Sequence, residues 1–295
     1  MKILSLLLDN CRESDRQIGK KIGISGSAVK SRIQKMIKNG VIEKFSLKIE
    51  PPALGFNLFY IVVAGQTQES ILQQVNLIGK PFLVVPCVGG ITVCGIVVSE
   101  NVDQKIALTK SLLKDIRVLS IFQTENPGIP SNLTKTDLEI IDKLIKDPRS
   151  KIEEIAKLTK LSSKTVTRSL EKFQRDDTIL FTLIYDPIKL KGYIPYAIVV
   201  EIKNDFKNTL NHLNKKFSDS FLQKPFVAKN QIVLFMYSDD IFELDLLTQQ
   251  VREINGVATA DLFIPKKINL PTNWITDTIK SSKISKKLHL LYQTH

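Results

Sequence analysis

The sequence predicts an α+β protein of two tandem units, each a winged helix-turn-helix followed by a ferredoxin-like βαββαβ domain. Three observations carry this prediction. Gly19 to Phe45 and Ala156 to Thr182 repeat one pattern at an offset of 137 residues, a period of domain-pair length and too long for a solenoid repeat. In each copy three short apolar-periodic segments lead into one alternating segment, and the remainder alternates in the order βαββαβ. A chain of 295 residues suits several small domains. The expected divisions are 1–50, 51–126, 133–187, 188–265 and a basic tail at 266–295.

Ile3, Leu6 and Leu7 make a first apolar face, Ser14 or Asp15 caps a helix running to Ile22, and Ser25 caps the next, running to Lys38. In that third helix Val29, Ile33 and Met36 point inward, which turns Ser27, Lys30, Ser31, Gln34, Lys35 and Lys38 to solvent. Gly40 ends it, and Val41, Glu43, Phe45 and Leu47 alternate as a wing strand. Strands are expected at Leu58–Ala64, Phe82–Cys87, Ile91–Val98 and Val118–Thr124, with helices at Glu69–Ile78 and Val102–Ile116. In the second copy the third helix buries Val166, Leu170 and Phe173. Strands follow at Pro195–Ile202, Pro225–Ala228, Ile232–Tyr237 and Val257–Phe263, and helices at Phe206–Phe217 and Ile241–Ile254. After Pro271 a helix carries Trp274, Ile275, Thr278 and Ile279 on one side, suited to packing on the body.

The net charge of +12 is unevenly divided. Met1 to Glu50 holds eleven Lys and Arg against five acids, whereas Leu133 to Pro187 holds eleven against ten. Lys266 to His295 carries six against one, and the other two parts balance. The excess on the first helical segment and the tail is what an anionic partner would meet. Three cysteines without a C-x-x-C pair suggest buried free thiols, and three histidines are too few for a histidine metal cluster. No apolar run approaches the roughly 20 residues that span a bilayer, and Asp9 and Arg12 interrupt the start before a signal-peptide core forms. A cytoplasmic location, no membrane partner and no cofactor are the expectations.

A helix-turn-helix delivers its second helix into the DNA major groove, where its N-terminal side chains meet base edges and nearby cations meet phosphate. The residues suited to double-stranded DNA are Ser25, Ser27, Lys30, Ser31, Arg32 and Lys35 in the first copy. Ser162, Lys164, Thr165, Thr167, Arg168 and Lys172 are their counterparts in the second. The copies differ: Gly40 becomes Asp177, the arginine moves from Arg32 to Arg168, and most of the charge excess is gone. Either the second head reads a different half-site or it is partly structural.

The segments "SDRQIGKKIGISGSAVKSRIQKMIKNGVIEKF" and "LTKTDLEIIDKLIKDPRSKIEEIAKLTKLSSKTVTRSLEKF", each followed by a Leu and a Gly (Leu54 and Gly55; Leu190 and Gly192), resemble the Lrp/AsnC family of prokaryotic transcription regulators. The resemblance covers nearly the whole chain, twice, and leaves the tail outside it. It implies dimerisation and binding of a small-molecule effector through the ferredoxin-like domain. Here one chain could supply both halves, an intrachain pseudo-dimer able to assemble further into homo-oligomers. Family members often carry a Gly-Asp turn near the effector pocket; this chain has "VGGITV" and "AKNQIV", so Gly89 stays and the acid is missing, and no effector is named. The same architecture also resembles sirohaem decarboxylases, which use histidine and arginine on a tetrapyrrole. Only His212 falls within a ferredoxin-like segment. A third alternative is an interaction protein that has kept the fold and lost DNA reading.

Overall fold

The structure, a computed structural model, describes residues 1–65, 67–99, 101–123 and 133–281. Its first three helices are α1 (Lys2–Asp9), α2 (Asp15–Ile22) and α3 (Gly26–Lys38). Ser14 caps α2, with Gln17 bonding back to the Ser14 amide, and the Ser25 hydroxyl accepts from the Ala28 amide at 3.2 Å to start α3. Gly23 ends α2 in the left-handed region, at φ 74°. The two helices then cross so closely that a Cβ on Gly19 would lie 2.5 Å from the Ile24 carbonyl oxygen. Any larger residue there would push α2 off α3.

The wing strand β1 (Ile42–Ile49) leads into β2 (Asn57–Ala64), α4 (Gln68–Ile78), β3 (Lys80–Pro86), β4 (Ile91–Val98), α5 (Val102–Leu112) and β5 (Arg117–Gln123). The second unit repeats the series as α6 (Lys135–Leu144), α7 (Ile152–Thr159), α8 (Ser163–Arg175) and β6 (Ile179–Tyr185). It continues as β7 (Ile194–Ile202), α9 (Phe206–Phe217), β8 (Phe221–Val227), β9 (Gln231–Ser238), α10 (Ile241–Arg252) and β10 (Val257–Phe263). A last helix, α11, occupies residues 273–281. The two four-stranded antiparallel sheets have the orders β3-β4-β2-β5 and β8-β9-β7-β10, one topology used twice.

Strand periodicity sorts the core. On β2, Phe59, Ile61 and Val63 face α4 and α5, while Leu58, Tyr60 and Val62 join a second cluster on the opposite face. That second cluster also holds Ile140, Ile155, Val166 and Phe173 of the second helical head. Tyr60 stacks on Phe122 and meets Phe226 of the other sheet edge-on, at a centroid distance of 5.7 Å. The two units therefore share one apolar interior.

The wings unite the heads. β1 pairs antiparallel with β6, with Phe45 opposite Leu183 and Ser46 opposite Thr182. At the 137-residue offset Phe45 corresponds to Thr182 and Ser46 to Leu183, so from Lys44 to Leu47 the register is symmetric about the Phe45–Ser46 peptide, and a shift between Ile42 and Lys44 ends the symmetry. Each strand also serves both heads. Ile42 packs with the first head, whereas Leu47 and Ile49 pack with the second; Ile179 and Phe181 pack with the second, whereas Leu183 and Tyr185 pack with the first.

Several expectations are refined by local chemistry. α5 ends at Leu112 and not Ile116, because residues 113–116 must turn the chain so that Arg117 can pair with Ala64. β8 begins at Phe221, four residues ahead of the expected Pro225, since an edge strand tolerates a proline and the register shifts around it. Thr124, the division at 126 and residues 282–295 lie outside the described residues. Cys11, Cys87 and Cys94 are buried free thiols, as anticipated. No helix among the described residues is long and apolar enough to cross a membrane.

The C-terminal segment returns from the second sheet to the first. Asn269 and Val84 exchange backbone hydrogen bonds of 2.9 and 3.0 Å, lining the free edge of β3. Trp274, 3% exposed, meets Phe56 edge-on at 5.9 Å and lies near Phe82. Trp274→Ala is expected to lower stability by about 3–5 kcal/mol, the usual cost of truncating a buried aromatic. Urea unfolding followed by circular dichroism measures it, because the variant lacks the chain's one tryptophan. A change within about 0.5 kcal/mol, typical of a surface site, would mean that α11 adds little to the fold.

Candidate nucleic-acid interface

In the first head the polar face forms as the sequence indicates. Val29 and Ile33 are buried and Met36 half-buried, which leaves Ser27, Lys30, Ser31, Arg32 and Lys35 exposed along α3. The hydroxyls of Ser25 and Ser27 lie 3.0 Å apart at the helix start. Free amide hydrogens and the positive end of the helix dipole gather there, a point that favours an anion, and Lys30 and Arg32 follow in the next turn. Other exposed cations of this head, Arg16 and Lys20 on α2 and Lys44 on β1, were not singled out from the sequence. The count of eleven Lys and Arg was their signal.

The second head has the same backbone and a different surface. Ser162 caps α8, accepting from the Thr165 amide at 3.1 Å. The Thr165 hydroxyl bonds Ser162 at 2.9 Å and the Thr167 hydroxyl donates back to the Ser163 carbonyl at 2.9 Å. Both threonines, expected among the DNA-facing residues, are half-buried. Lys164 and Arg168 remain exposed, and Arg175, one helical position short of the turn, pairs with Asp176 at 2.8 Å.

Lys172, the counterpart of exposed Lys35, has a structural partner. Its ammonium bonds the carboxylate of Asp137 at 2.8 Å. Asp137 is 3% exposed and also accepts from Ser169 at 2.7 Å and from the Thr134 amide at 2.8 Å. A buried acid with such partners anchors α6 to α8. Sequence inspection could have found its local capping role, because Asp137 stands at the third helical position after Thr134, where a capping box puts an acid.

Two helix stops of the second head also differ. Where the first head has Gly23 and Gly40, the second has Lys160 and Asp177, held at φ 57° and 47°. Left-handed backbone costs a side chain about 1–2 kcal/mol, so the second head is built under more local strain. Its α7 is preceded by Lys151, which gives no side-chain cap of the kind that Ser14 gives α2.

Burial alone would raise the pKa of Asp137, but hydrogen bonds from Lys172, Ser169 and Thr134 outweigh it and hold the carboxyl below its usual range. A depressed folded pKa gives stability that is fully present above the unfolded value, about 3.9, and is lost as pH falls through the folded value. Asp137→Ala should cost about 3–5 kcal/mol at neutral pH, as when one partner of a buried ion pair is removed. The gap between variant and wild type should narrow below about pH 4. Denaturant melts at neutral and acid pH measure both, and a pH-independent gap would contradict the charged-acid account.

A family model described as winged helix-turn-helix DNA-binding matches residues 1–43 and 133–179. The HTH-type transcriptional regulator Ptr1 of Methanocaldococcus jannaschii is 39% identical over 62 residues, 21% of this chain and 42% of that one. LrpA of Pyrococcus horikoshii is 32% identical over 71 residues, 24% of this chain and 50% of that one. LrpB of Bacillus subtilis is 41% identical over 56 residues, 19% and 38% of the two chains. The matches thus span half or less of these relatives. Among solved structures the siroheme decarboxylase NirDL superposes with a TM-score of 0.51 over 96% of this chain and 98% of that chain, at 12% identity, a likeness of fold. The chain carries two winged helix-turn-helix segments similar to those of the Lrp-named transcriptional regulators, each leading a four-stranded sheet, in a fold like that of NirDL.

Proposed function

We propose that this chain is a sequence-specific DNA-binding transcription regulator of Lrp/AsnC type and not an enzyme, a single-chain pseudo-dimer with two unlike DNA-reading heads. The observation that carries the reading is the exposed face of α3, with Ser27 in the first turn, where the helix dipole is positive, and Lys30, Ser31 and Arg32 in the turn after it. The winged helix-turn-helix matches fall on α1–α3 and α6–α8, and the relatives' names are those of transcriptional regulators. On this reading the first head supplies most of the phosphate attraction. The second, with Lys164 and Arg168 exposed and Lys172 tied to Asp137, reads its half-site with fewer cations.

Selection of bound genomic DNA fragments by the purified protein at near-physiological salt tests this. A two-part motif is expected, losing one half with Lys30→Ala/Arg32→Ala and the other with Lys164→Ala/Arg168→Ala. If Lys30 and Arg32 each meet a phosphate, the slope of log affinity against log salt falls by about 2 in the first double variant. A folded protein that enriches no sequence would sink the specific-operator claim. Absence of salt-dependent retention on DNA as well would favour the interaction-protein alternative.

Decarboxylation of a tetrapyrrole is the second reading, favoured by the fold likeness to NirDL over nearly the whole chain. Against it, a cavity of about 330 Å³ between the first sheet and the C-terminal segment is lined by Thr67, Gln68, Pro86, Cys87, Gly90 to Thr92, Lys266 and Lys267, with neither histidine nor arginine. His212 is exposed on α9. Titration with an iron tetrapyrrole should give no saturable absorbance change; a stoichiometric coloured complex would reverse the ranking.

A further inference from the structure

The two heads are held by more than paired wings. Arg12, in the loop between α1 and α2, leaves its own head and donates to the carbonyls of Pro148 and Ser150 in the loop between α6 and α7, the second bond at 2.9 Å. Its guanidinium also lies over the Phe181 ring, 5.4 Å from the centroid. Arg149, its counterpart at the 137-residue offset, makes the reciprocal crossing. It lies over the Phe45 ring at 4.8 Å and faces the Asp15 carboxylate at 3.6 Å, an electrostatic contact just beyond hydrogen-bond reach. The Cys11 amide adds a 2.8 Å bond to the Phe181 carbonyl.

We propose that Arg12 and Arg149 are positioning residues that fix the separation and angle of the two recognition helices, and so the spacing of the DNA half-sites, an inference that rests on the DNA-reading proposal. The leverage is direct. Asp15 is the first residue of α2, and residues 148–150 lead into α7. α2 carries α3 with it, because the Gly19 crossing leaves no room for the helices to slide. A two-stranded ribbon such as β1–β6 twists over a wide range when unsupported, and the clasps on either side of it remove that freedom. Arginine is suited to such a clasp because its planar fork serves two carbonyls at once while its face covers a ring, which a lysine cannot do.

The first test needs no DNA. Lys38→Cys/Arg175→Cys puts one spin label at the exposed C-terminal end of each recognition helix, and the three natural cysteines are buried. The parent should give one narrow distance distribution, and addition of Arg12→Ala/Arg149→Ala should broaden it at least twofold with the circular-dichroism spectrum unchanged. Arg12→Lys/Arg149→Lys, the milder change should the alanine variant not fold, should broaden it too. The second test selects from DNA carrying two half-sites at every spacing across one helical turn, about 10 base pairs. Wild type should enrich one spacing and the variants several, with affinity for a single half-site unchanged. An unbroadened distribution, or one retained spacing, overturns the positioning role, as does an equal loss of single-half-site affinity, which would mark the arginines as structural. A narrow parent distribution that broadens as expected, in a protein that enriches no sequence, would leave the clasp standing and overturn the DNA-reading proposal together with the spacing claim.

Discussion

Everything in this molecule depends on the pairing of β1 with β6. The strands are the wings of two heads 137 residues apart, and the register of their central pairs is symmetric about one peptide, Phe45–Ser46. Each strand begins in its own head's core and ends in the other's, so Leu47 and Ile49 are lost to the second head if the strands part, and Leu183 and Tyr185 to the first. Hydrogen bonding and apolar burial therefore act on the same residues. Separating the heads would expose four buried side chains together with a strand edge, which is why the heads behave as one body, not two modules on a linker.

Within that symmetric frame the heads have diverged in opposite directions. The first keeps glycine at both left-handed turns and a full capping box on α2, and leaves the cations of α3 in solvent. The second puts Lys160 and Asp177 in left-handed backbone, lacks a side-chain cap on α7 and directs Lys172 inward to Asp137. Strain at the helix ends is offset by a buried acid that ties α6 to α8. Charge left in solvent in one copy serves the fold in the other, while the near-neutral balance of the second head comes from its ten acids against five in the first.

Much of this was legible in the sequence because it is local. Caps at Ser14, Ser25 and Ser162, the periodicity of Val29, Ile33, Val166 and Phe173, and the βαββαβ order each depend on a few neighbouring residues. The exposed faces of α3 and, at Lys164 and Arg168, of α8 followed from the same period. What escaped was nonlocal. No spacing rule shows that Lys172 meets an acid 35 residues earlier, that Arg12 reaches a carbonyl 136 residues away or that Trp274 fills the first unit's interior. The repeat did align Arg12 with Arg149, and a pair of loop arginines kept at equivalent points on a two-fold was the clue available. The early start of β8 was hidden by Pro225, which reads as a strand break unless the strand is known to be an edge.

Carrying both wings on one chain changes the thermodynamics of the pairing. When strands belong to separate molecules, association costs translational and rotational freedom and depends on concentration; when one chain holds both, the second contact is intramolecular. The β1–β6 ribbon, the arginine crossings and the C-terminal segment along β3 then form at any dilution. That also removes the requirement that the halves be identical, since a mutation in one head is no longer copied to the other. Gly40 and Asp177, Gly23 and Lys160, and Ser14 and Lys151 are three pairs in which this freedom has been used. The tail shows its extent: among the described residues nothing equivalent to Trp274 seals the second sheet, whose β8 edge is covered by α1 through Leu222. The two sheets thus solve the same problem, an open edge beside an apolar face, with different parts of the chain.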